Sequence, residues 1–312
     1  MRRRDFLSTM ATAGAGAAAL KTSAQETPMG TLARRPFREG GPELSIIGFG
    51  GIVVSQVEPS EASGSVAWAV DRGVNYFDVA PTYGNAQERL GPALKPYREQ
   101  SFLACKTVKR DAAGAQAELE ESLRLLQTDR FELYQLHGVS SDEEADAILA
   151  PGGALETFLQ AREAGKVRYL GFSAHSVSAA LKLLDAFEFD SVLFPFNCVC
   201  MENGNFGPPV MEKAIERGAA RLALKALAWT PWPADGERPY PKCWYQPIDD
   251  RERARLALGY TLSLPITAAI PPGEDPLFKL AVELALQFTP ITNDMREALA
   301  QEMRGVAPIF AV

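Results

Sequence analysis

Short apolar runs alternate with helical patterns along most of this chain. The eight runs are LSIIGFG, VNYFDVA, SFLACKT, FELYQLH, VRYLGFS, SVLFPFN, RLALKAL and TAAIP. Runs of this kind, bounded by turn residues, are typical of strands that are buried on both faces of a parallel sheet. Their alternation with helical periodicity predicts repeated βα units.

The segments between these runs have the apolar spacing of amphipathic helices. We predict helices at 61–72, 86–95, 112–126, 154–164, 177–186, 209–217, 251–262 and 276–286. Gly73, Gly165 and Gly218 each follow one of them, as a left-handed C-terminal cap requires. Eight strands and eight helices predict a closed (β/α)8 barrel of the TIM type with a helical extension at the C-terminus. The alternative is an open doubly wound sheet, but no GxGxxG motif opens a helix after a strand.

Two segments lie outside the repeat. Residues 34–43 (RRPFREGGPE) contain a Gly-Gly-Pro turn and predict an N-terminal hairpin that closes the bottom of the barrel. Residues 228–250 predict a long loop after the seventh strand, with aromatic side chains that include Trp229, Trp232 and Trp244. At the mouth of the barrel these three tryptophans would wall an apolar substrate. Packing on the barrel rim for stability is the open alternative.

The first residues are typical of a targeting segment. A basic start, a short run rich in Gly and Ala, and a zone of small residues near Ala24 predict a signal peptide over 1–24. Residues 25–312 would then form a single barrel domain. RRDFL resembles the twin-arginine signal, which implies export by that machinery, to the periplasm of a bacterium. The run 8–20 is too short for a stable membrane anchor, and a disordered basic tail is the alternative.

Charge and cysteine spacing narrow the possible partners. The formal net charge is −7 and the pI is about 5.1, which argues against a nucleic-acid surface and favours a small-molecule partner. The four cysteines form no CxxC pair and have no histidine at zinc spacing, so no metal site is expected. Cys105 and Cys198 lie in or after apolar runs and are expected to pack as small core residues.

Four polar side chains end or directly follow predicted strands: Asp78, Tyr83, Lys106 and His137. The carboxyl ends of parallel strands meet at one mouth of a barrel, where its chemistry takes place. An acid, a phenol, an ammonium group and an imidazole gathered there would form a proton-donating site.

Five motifs in order resemble the aldo-keto reductases. They are GFGG, DRGVNYFDVAPTYGNAQERLG, the strand lysine Lys106, YQLHGV and GKVRYLGFSAHS. The resemblance implies a (β/α)8 barrel that binds NADPH and transfers hydride to an aldehyde or ketone. It implies that Tyr83 donates the proton, that Lys106 lowers the pKa of the phenol, that Asp78 pairs with Lys106, and that His137 orients the carbonyl oxygen.

The same resemblance implies a set of cofactor contacts, which are Gly50, Gly51, Ser173, His175, Asn197, Leu224, Lys225, Pro272 and Gly273. For His175, capping of the following helix is an equally open role. Several positions depart from the family pattern. Leu193 and Leu224 stand where a glutamine and a tyrosine are common, and Phe278 stands at a place that commonly binds the 2′-phosphate.

Glu274 and Asp275 add two carboxylates close to the expected position of that phosphate. NADPH is therefore the first expectation and NADH remains open. The alternative to a reductase is an exported barrel that binds a ligand or regulates, without turnover.

Overall fold

The computed structural model describes residues 30–312, so the predicted signal peptide lies outside the described residues. Eight parallel strands run in sequence order around the molecule. They are β3 (Phe49–Gly50), β4 (Tyr76–Asp78), β5 (Phe102–Thr107), β6 (Phe131–Val139), β7 (Val167–Ala174), β8 (Ser191–Phe194), β9 (Ala220–Leu224) and β12 (Ala268–Ile270). A parallel bridge between Ile47 and Ala269 joins the two ends of the sheet. The predicted TIM barrel is confirmed, and the open sheet is wrong.

Helices follow the strands and cover the outside of the barrel. They are α1 (Pro59–Asp71), α2 (Ala86–Leu94), α3 (Ala112–Leu125), α4 (Asp142–Leu149), α5 (Ala154–Glu163), α6 (Val177–Ala186), α7 (Cys198–Glu202), α8 (Pro208–Glu216), α9 (Arg251–Ser263), α10 (Asp275–Leu286) and α11 (Asn293–Glu302). The sequence pattern missed α4 and α7. Both are short, and each begins at a capping side chain, Ser141 and Asn197. The last helix, α11, is the predicted C-terminal extension.

A hairpin closes the bottom of the barrel, as the sequence predicts. Strands β1 (Arg34–Pro36) and β2 (Glu43–Ser45) pair antiparallel. Phe37 then enters the barrel floor, with its ring centroid 5.1 Å from that of Phe102 and 4.9 Å from that of Tyr169. These contacts seal the end of the barrel that lies opposite the mouth.

The two-residue period of β5 decides where its lysine lies. Phe102 and Ala104 belong to the apolar cluster inside the barrel, whereas Leu103 and Cys105 pack outward against the helices. Lys106 continues the inward series at the carboxyl end of the strand. The same alternation in β4 places Tyr76 inward and Asp78 inward above it.

The segment 228–250 is not the structureless loop that the sequence predicts. Strands β10 (Ala228–Pro231) and β11 (Tyr245–Pro247) form an antiparallel pair within it. Aromatic and β-branched side chains favour such paired, half-buried strands. The connecting loop is therefore limited to the part between the two strands.

The four cysteines are free and buried, as expected for Cys105 and Cys198. Within residues 30–312, no three His, Cys, Asp or Glu side chains gather as metal ligands. In the same part of the chain, no helix has both the length and the apolarity needed to cross a membrane.

Candidate active site

A cavity of about 330 Å³ opens at the carboxyl ends of the barrel strands. Asp78, Tyr83, Lys106 and His137 all line it. Barrel topology therefore gathers the four candidate catalytic side chains from β4, the loop after it, β5 and β6.

Asp78 and Lys106 form an ion pair inside the barrel. The Lys106 side chain is fully buried and the Asp78 side chain is 2% exposed. Lys106 also donates to the carbonyl oxygen of Val79 at 3.3 Å. A charged pair this deep is held only if its remaining hydrogen-bonding groups are satisfied.

Two neighbours satisfy the second carboxylate oxygen of Asp78, and the sequence analysis missed both. Gln135 Nε2 donates to Asp78 Oδ2 at 3.0 Å, and the Tyr76 hydroxyl donates to the same oxygen at 3.2 Å. The signal was available in the strand period, because Tyr76 precedes Asp78 by two residues on the inward face. Gln135 is the register partner of Lys106 on β6.

The pair determines the charge state of the ammonium group. Burial acts most strongly and lowers the pKa of Lys106, but Asp78 and Tyr83 together raise it, and the net pKa is above its ordinary value. Lys106 is therefore a permanent cation near neutral pH.

Tyr83 differs from the sequence-based expectation. Burial raises the pKa of its phenol, Lys106 opposes this, and the net pKa is raised rather than lowered. The desolvation of a phenolate outweighs the attraction of a lysine whose charge is shared with Asp78. Tyr83 is consequently a protonated phenol, able to donate, beside a cation that stabilises the phenolate left behind.

A bulge in β6 presents His137 to the cavity. The pairing of β6 with β7 shifts between Leu136 and Val139, and Gly138 adopts a φ of 63°. Burial, followed by repulsion from Lys106, lowers the pKa of His137 to about 2. The imidazole is therefore neutral. Its Nδ1 lies 3.3 Å from Thr82 Oγ1, and its ring meets Tyr83 edge to face at 5.7 Å.

Most of the predicted cofactor contacts also line the cavity. These are Gly50, Ser173, His175, Leu224, Lys225 and Gly273. At position 273 a Cβ would lie 1.6 Å from Ile52 Cγ2, so glycine allows the two loops to meet there. The Ser173 hydroxyl accepts a hydrogen bond from the Gly138 amide at 2.8 Å.

Three predicted cofactor contacts are not among the cavity-lining residues. Gly51 packs closely on Val79, and Asn197 caps α7 by accepting the Cys200 amide at 3.0 Å. Pro271, rather than Pro272, forms the cavity wall.

His175 and Lys225 contact each other inside the cavity. Their Nε2 and Nζ atoms are 3.2 Å apart. Ser176, not His175, caps the following helix by accepting the Ala179 amide, so the capping role considered for His175 is wrong. Burial and then Lys225 lower the pKa of His175 to about 3, and burial lowers the pKa of Lys225 to about 7.

Of the three predicted substrate tryptophans, Trp244 lines the cavity. Trp229 is buried on the outside of the barrel, 5.3 Å from the Arg253 guanidinium, and Trp232 donates its indole N–H to the Cys243 carbonyl at 2.8 Å. Trp229 therefore packs segment 228–250 against α9, and Trp232 holds two parts of that segment together. The sequence analysis did not single out Phe310, whose ring stacks on His175 at 4.9 Å.

In the region expected to bind the adenosine 2′-phosphate, the side chains already contact other residues of the protein. Phe278 is fully buried against Phe49, with ring centroids 4.9 Å apart. Asp275 pairs with Lys279 at 2.7 Å, and Glu274 accepts the Lys242 amide at 2.7 Å. The two carboxylates that were expected to repel the 2′-phosphate of NADPH are therefore engaged in contacts within the protein.

Comparison with known proteins agrees with this fold. The model of the Aldo/keto reductase family matches residues 46–206, which is more than half of the chain. Aldo-keto reductase YhdN from Bacillus subtilis is 31% identical over 156 residues, which cover 44% of this chain and 45% of YhdN. The uncharacterized oxidoreductase YqkF of the same organism is 25% identical over 210 residues, covering 63% of this chain and 66% of YqkF. The chain thus spans about half to two thirds of these curated relatives.

A solved structure of PA4992 from Pseudomonas aeruginosa, described as an aldo-keto reductase, superposes with a TM-score of 0.66 at 27% identity. The match covers 82% of this chain and 97% of that protein. The holo form of AKR11C1 from Bacillus halodurans gives a TM-score of 0.68 at 22% identity and supports the fold alone. With its barrel, its cavity and the family match in agreement, the chain belongs to the aldo/keto reductase family.

Proposed function

We propose that this protein is an NAD(P)H-dependent reductase that converts an aldehyde or ketone to an alcohol. The observation that carries the proposal is that Asp78, Tyr83, Lys106 and His137 line one cavity at the mouth of the barrel. A general acid, its cation and a neutral imidazole in one site are what protonation of a developing alkoxide requires.

Each side chain has a distinct task in this mechanism. A bound nicotinamide would supply the hydride to the carbonyl carbon. Tyr83, protonated because its pKa is raised, gives its proton to the carbonyl oxygen, and Lys106 stabilises the resulting phenolate. Asp78 holds Lys106 in place. His137, neutral because its pKa is lowered to about 2, can donate a ring N–H to the same oxygen without competing as an acid.

The donor set of the cavity fits a nicotinamide cofactor. The hydroxyl of Ser173 and the imidazole of His175 can meet the amide group, and Leu224 offers an apolar surface to the ring. Gly50 and Gly273 line the same cavity. NADPH is the first expectation from the family, while Glu274 at the start of α10 keeps NADH open, since acidic side chains suit ribose hydroxyls better than a phosphate.

Nucleotide binding and a single substitution test the reductase. Titration of the protein with NADPH and NADH, followed by quenching of tryptophan fluorescence, should give micromolar or tighter binding. Tyr83→Phe should retain binding and lose turnover of a generic aldehyde by a factor of about 100 or more, because the proton donor is removed. Tyr97→Phe, at the opposite end of the barrel, is the matched control. Full turnover by Tyr83→Phe would refute the mechanism.

A ligand-binding barrel without turnover is the second candidate. It is favoured by Leu193, which is apolar and buried where the family often has a glutamine, and by the burial of Phe278 at a phosphate-binding place. If neither nucleotide binds while the protein is folded, this candidate replaces the reductase.

Export is part of the proposal and rests on the sequence of residues 1–24. Expression of the full chain with Arg3→Lys and Arg4→Lys, followed by separation of periplasm and cytoplasm, tests it. The unaltered chain should reach the periplasm and the variant should not. Equal distribution of the two would refute a twin-arginine signal.

A further inference from the structure

The cavity of this acidic protein is itself positively charged. Among the described residues that line it there are three lysines, Lys106, Lys225 and Lys242, and Asp78 is the only carboxylate, so the formal charge is +2 while Lys225 is protonated. His137 and His175 add nothing, because their pKa values are about 2 and 3. The chain as a whole carries −7. A cavity opposite in sign to its protein concentrates anions.

The three lysines differ in how their charges are used. Lys106 pairs with Asp78, and Lys242 donates from Nζ to the Val53 carbonyl at 2.9 Å. Lys225 has no carboxylate among the charged groups acting on it in the described part of the chain; the groups that act on it are His175, Cys200 and Lys106. An ammonium group donates three hydrogen bonds, and His175 accounts for one. Two donors remain for a ligand.

Burial and two aromatic rings hold the side chain of Lys225 in the cavity. Its side chain is buried, with the residue 8% exposed, and its Nζ lies 5.5 Å from the ring centroid of Trp244 and 5.8 Å from that of Phe310. Its backbone φ is 58°, a left-handed conformation that costs a lysine energy and is maintained at functional positions. A buried cation without a counter-ion is also costly, and a bound anion would offset that cost.

Lys225 is electrostatically coupled to the carbonyl site. Its charge acts on His137, and the charge of Lys106 acts on it in turn. Lys225, Tyr83 and His137 also line the same cavity of about 330 Å³, so one small ligand can reach all three side chains. In a nicotinamide cofactor, by contrast, a ribose separates the ring from the diphosphate.

We propose that Lys225 binds a carboxylate of the substrate, so that the compounds reduced are oxo acids rather than neutral aldehydes or ketones. This assignment rests on the proposed reductase function and replaces the cofactor contact that the sequence pattern gave to Lys225. The carbonyl oxygen meets Tyr83 and His137 while the carboxylate accepts hydrogen bonds from the Lys225 ammonium.

Binding of a matched pair of unreactive probes to the full chain tests the proposal. Oxamate carries a carboxylate beside its amide carbonyl, and oxamide replaces that carboxylate with a neutral amide. At pH 6, calorimetry should show oxamate binding about tenfold or more tighter than oxamide, as expected for a charge-assisted contact. Lys225→Met should remove the preference, and the control Lys182→Met, at a lysine of α6 that pairs with Asp146 outside the cavity, should retain it.

The pH dependence gives a test that needs no variant. Lys225, with a pKa of about 7, loses its charge as the pH rises from 6 to 9, so the preference for oxamate should decline over that range. His137 and His175 stay neutral there, and the raised pKa values of Lys106 and Cys200 keep those groups unchanged near neutrality.

Equal binding of the two probes by the unaltered protein would overturn the proposal even if Lys225→Met failed to fold. It would also be overturned if Lys225→Met weakened NADPH binding but kept the oxamate preference, since Lys225 would then serve the cofactor diphosphate. The probe measurement requires no turnover. Failure of the reductase itself would appear separately, as the absence of NADPH and NADH binding by the folded protein.

Discussion

Replacing Asp78 with asparagine should strongly destabilise the barrel. The Lys106 ammonium, fully buried, would lose its carboxylate partner Asp78 while remaining in place. The asparagine would also direct an NH₂ group at one of the donors that now point to Asp78, which are Lys106, Gln135 and Tyr76. Removing one partner of a buried ion pair costs about 3–5 kcal/mol.

Thermal unfolding followed by circular dichroism measures this cost. At roughly 2 °C per kcal/mol for a chain of this size, Asp78→Asn should lower the Tm by roughly 6–10 °C. The matched control is Asp146→Asn, which removes an exposed ion pair with Lys182 and should cost less than about 1 kcal/mol.

A second substitution separates the buried charge from the lost contacts. Combining Asp78→Asn with Lys106→Met removes both charges, so the double variant should recover part of the stability lost by Asp78→Asn alone. A Tm change no larger than that of the control, or a double variant whose losses simply add, would refute the view that an uncompensated ammonium dominates.

Two further predictions concern acid sensitivity and barrel packing. The pKa of His137 is lowered in the folded state, so the free energy of unfolding should fall as the pH drops below the unfolded pKa of about 6.5. His137→Gln should remove up to about 2.7 kcal/mol of this loss at pH 4.5, which would appear as a flatter profile of Tm against pH. An unchanged profile would contradict the burial of the neutral imidazole. Gly171→Ala places a Cβ 2.3 Å from Ser191 Oγ and should cost about 1–3 kcal/mol, whereas Gly64→Ala, in an open position of α1, should stabilise by about 0.5–1 kcal/mol. Equal denaturation midpoints for these two variants would argue against the close packing of β7 on β8.

The pH dependence of ligand binding can also identify the group that selects the substrate. If Lys225 selects carboxylates, its affinity for them follows its own protonation and not that of the two neutral histidines.

Several features of this protein are determined by local sequence. The strand period places Lys106 and Asp78 on the inward face, and strand ends in a parallel barrel share one mouth, so the gathering of Asp78, Tyr83, Lys106 and His137 could be predicted from spacing alone. The hairpin at 34–43 followed from its turn residues. The bounds of the longer helices were also predictable, because apolar periodicity is a local signal, whereas the short helices α4 and α7 were missed.

Other features depended on contacts between distant segments. Only the folded chain brings Gln135 of β6 to Asp78, moves Trp229 and Trp232 away from the cavity, and stacks Phe310 on His175. The raised pKa of Tyr83 has the same origin. The sequence motifs indicated that the Lys106 cation lies near Tyr83. The desolvation of the phenol, however, depends on every segment that excludes water from it, and burial of this kind is a property of the tertiary structure.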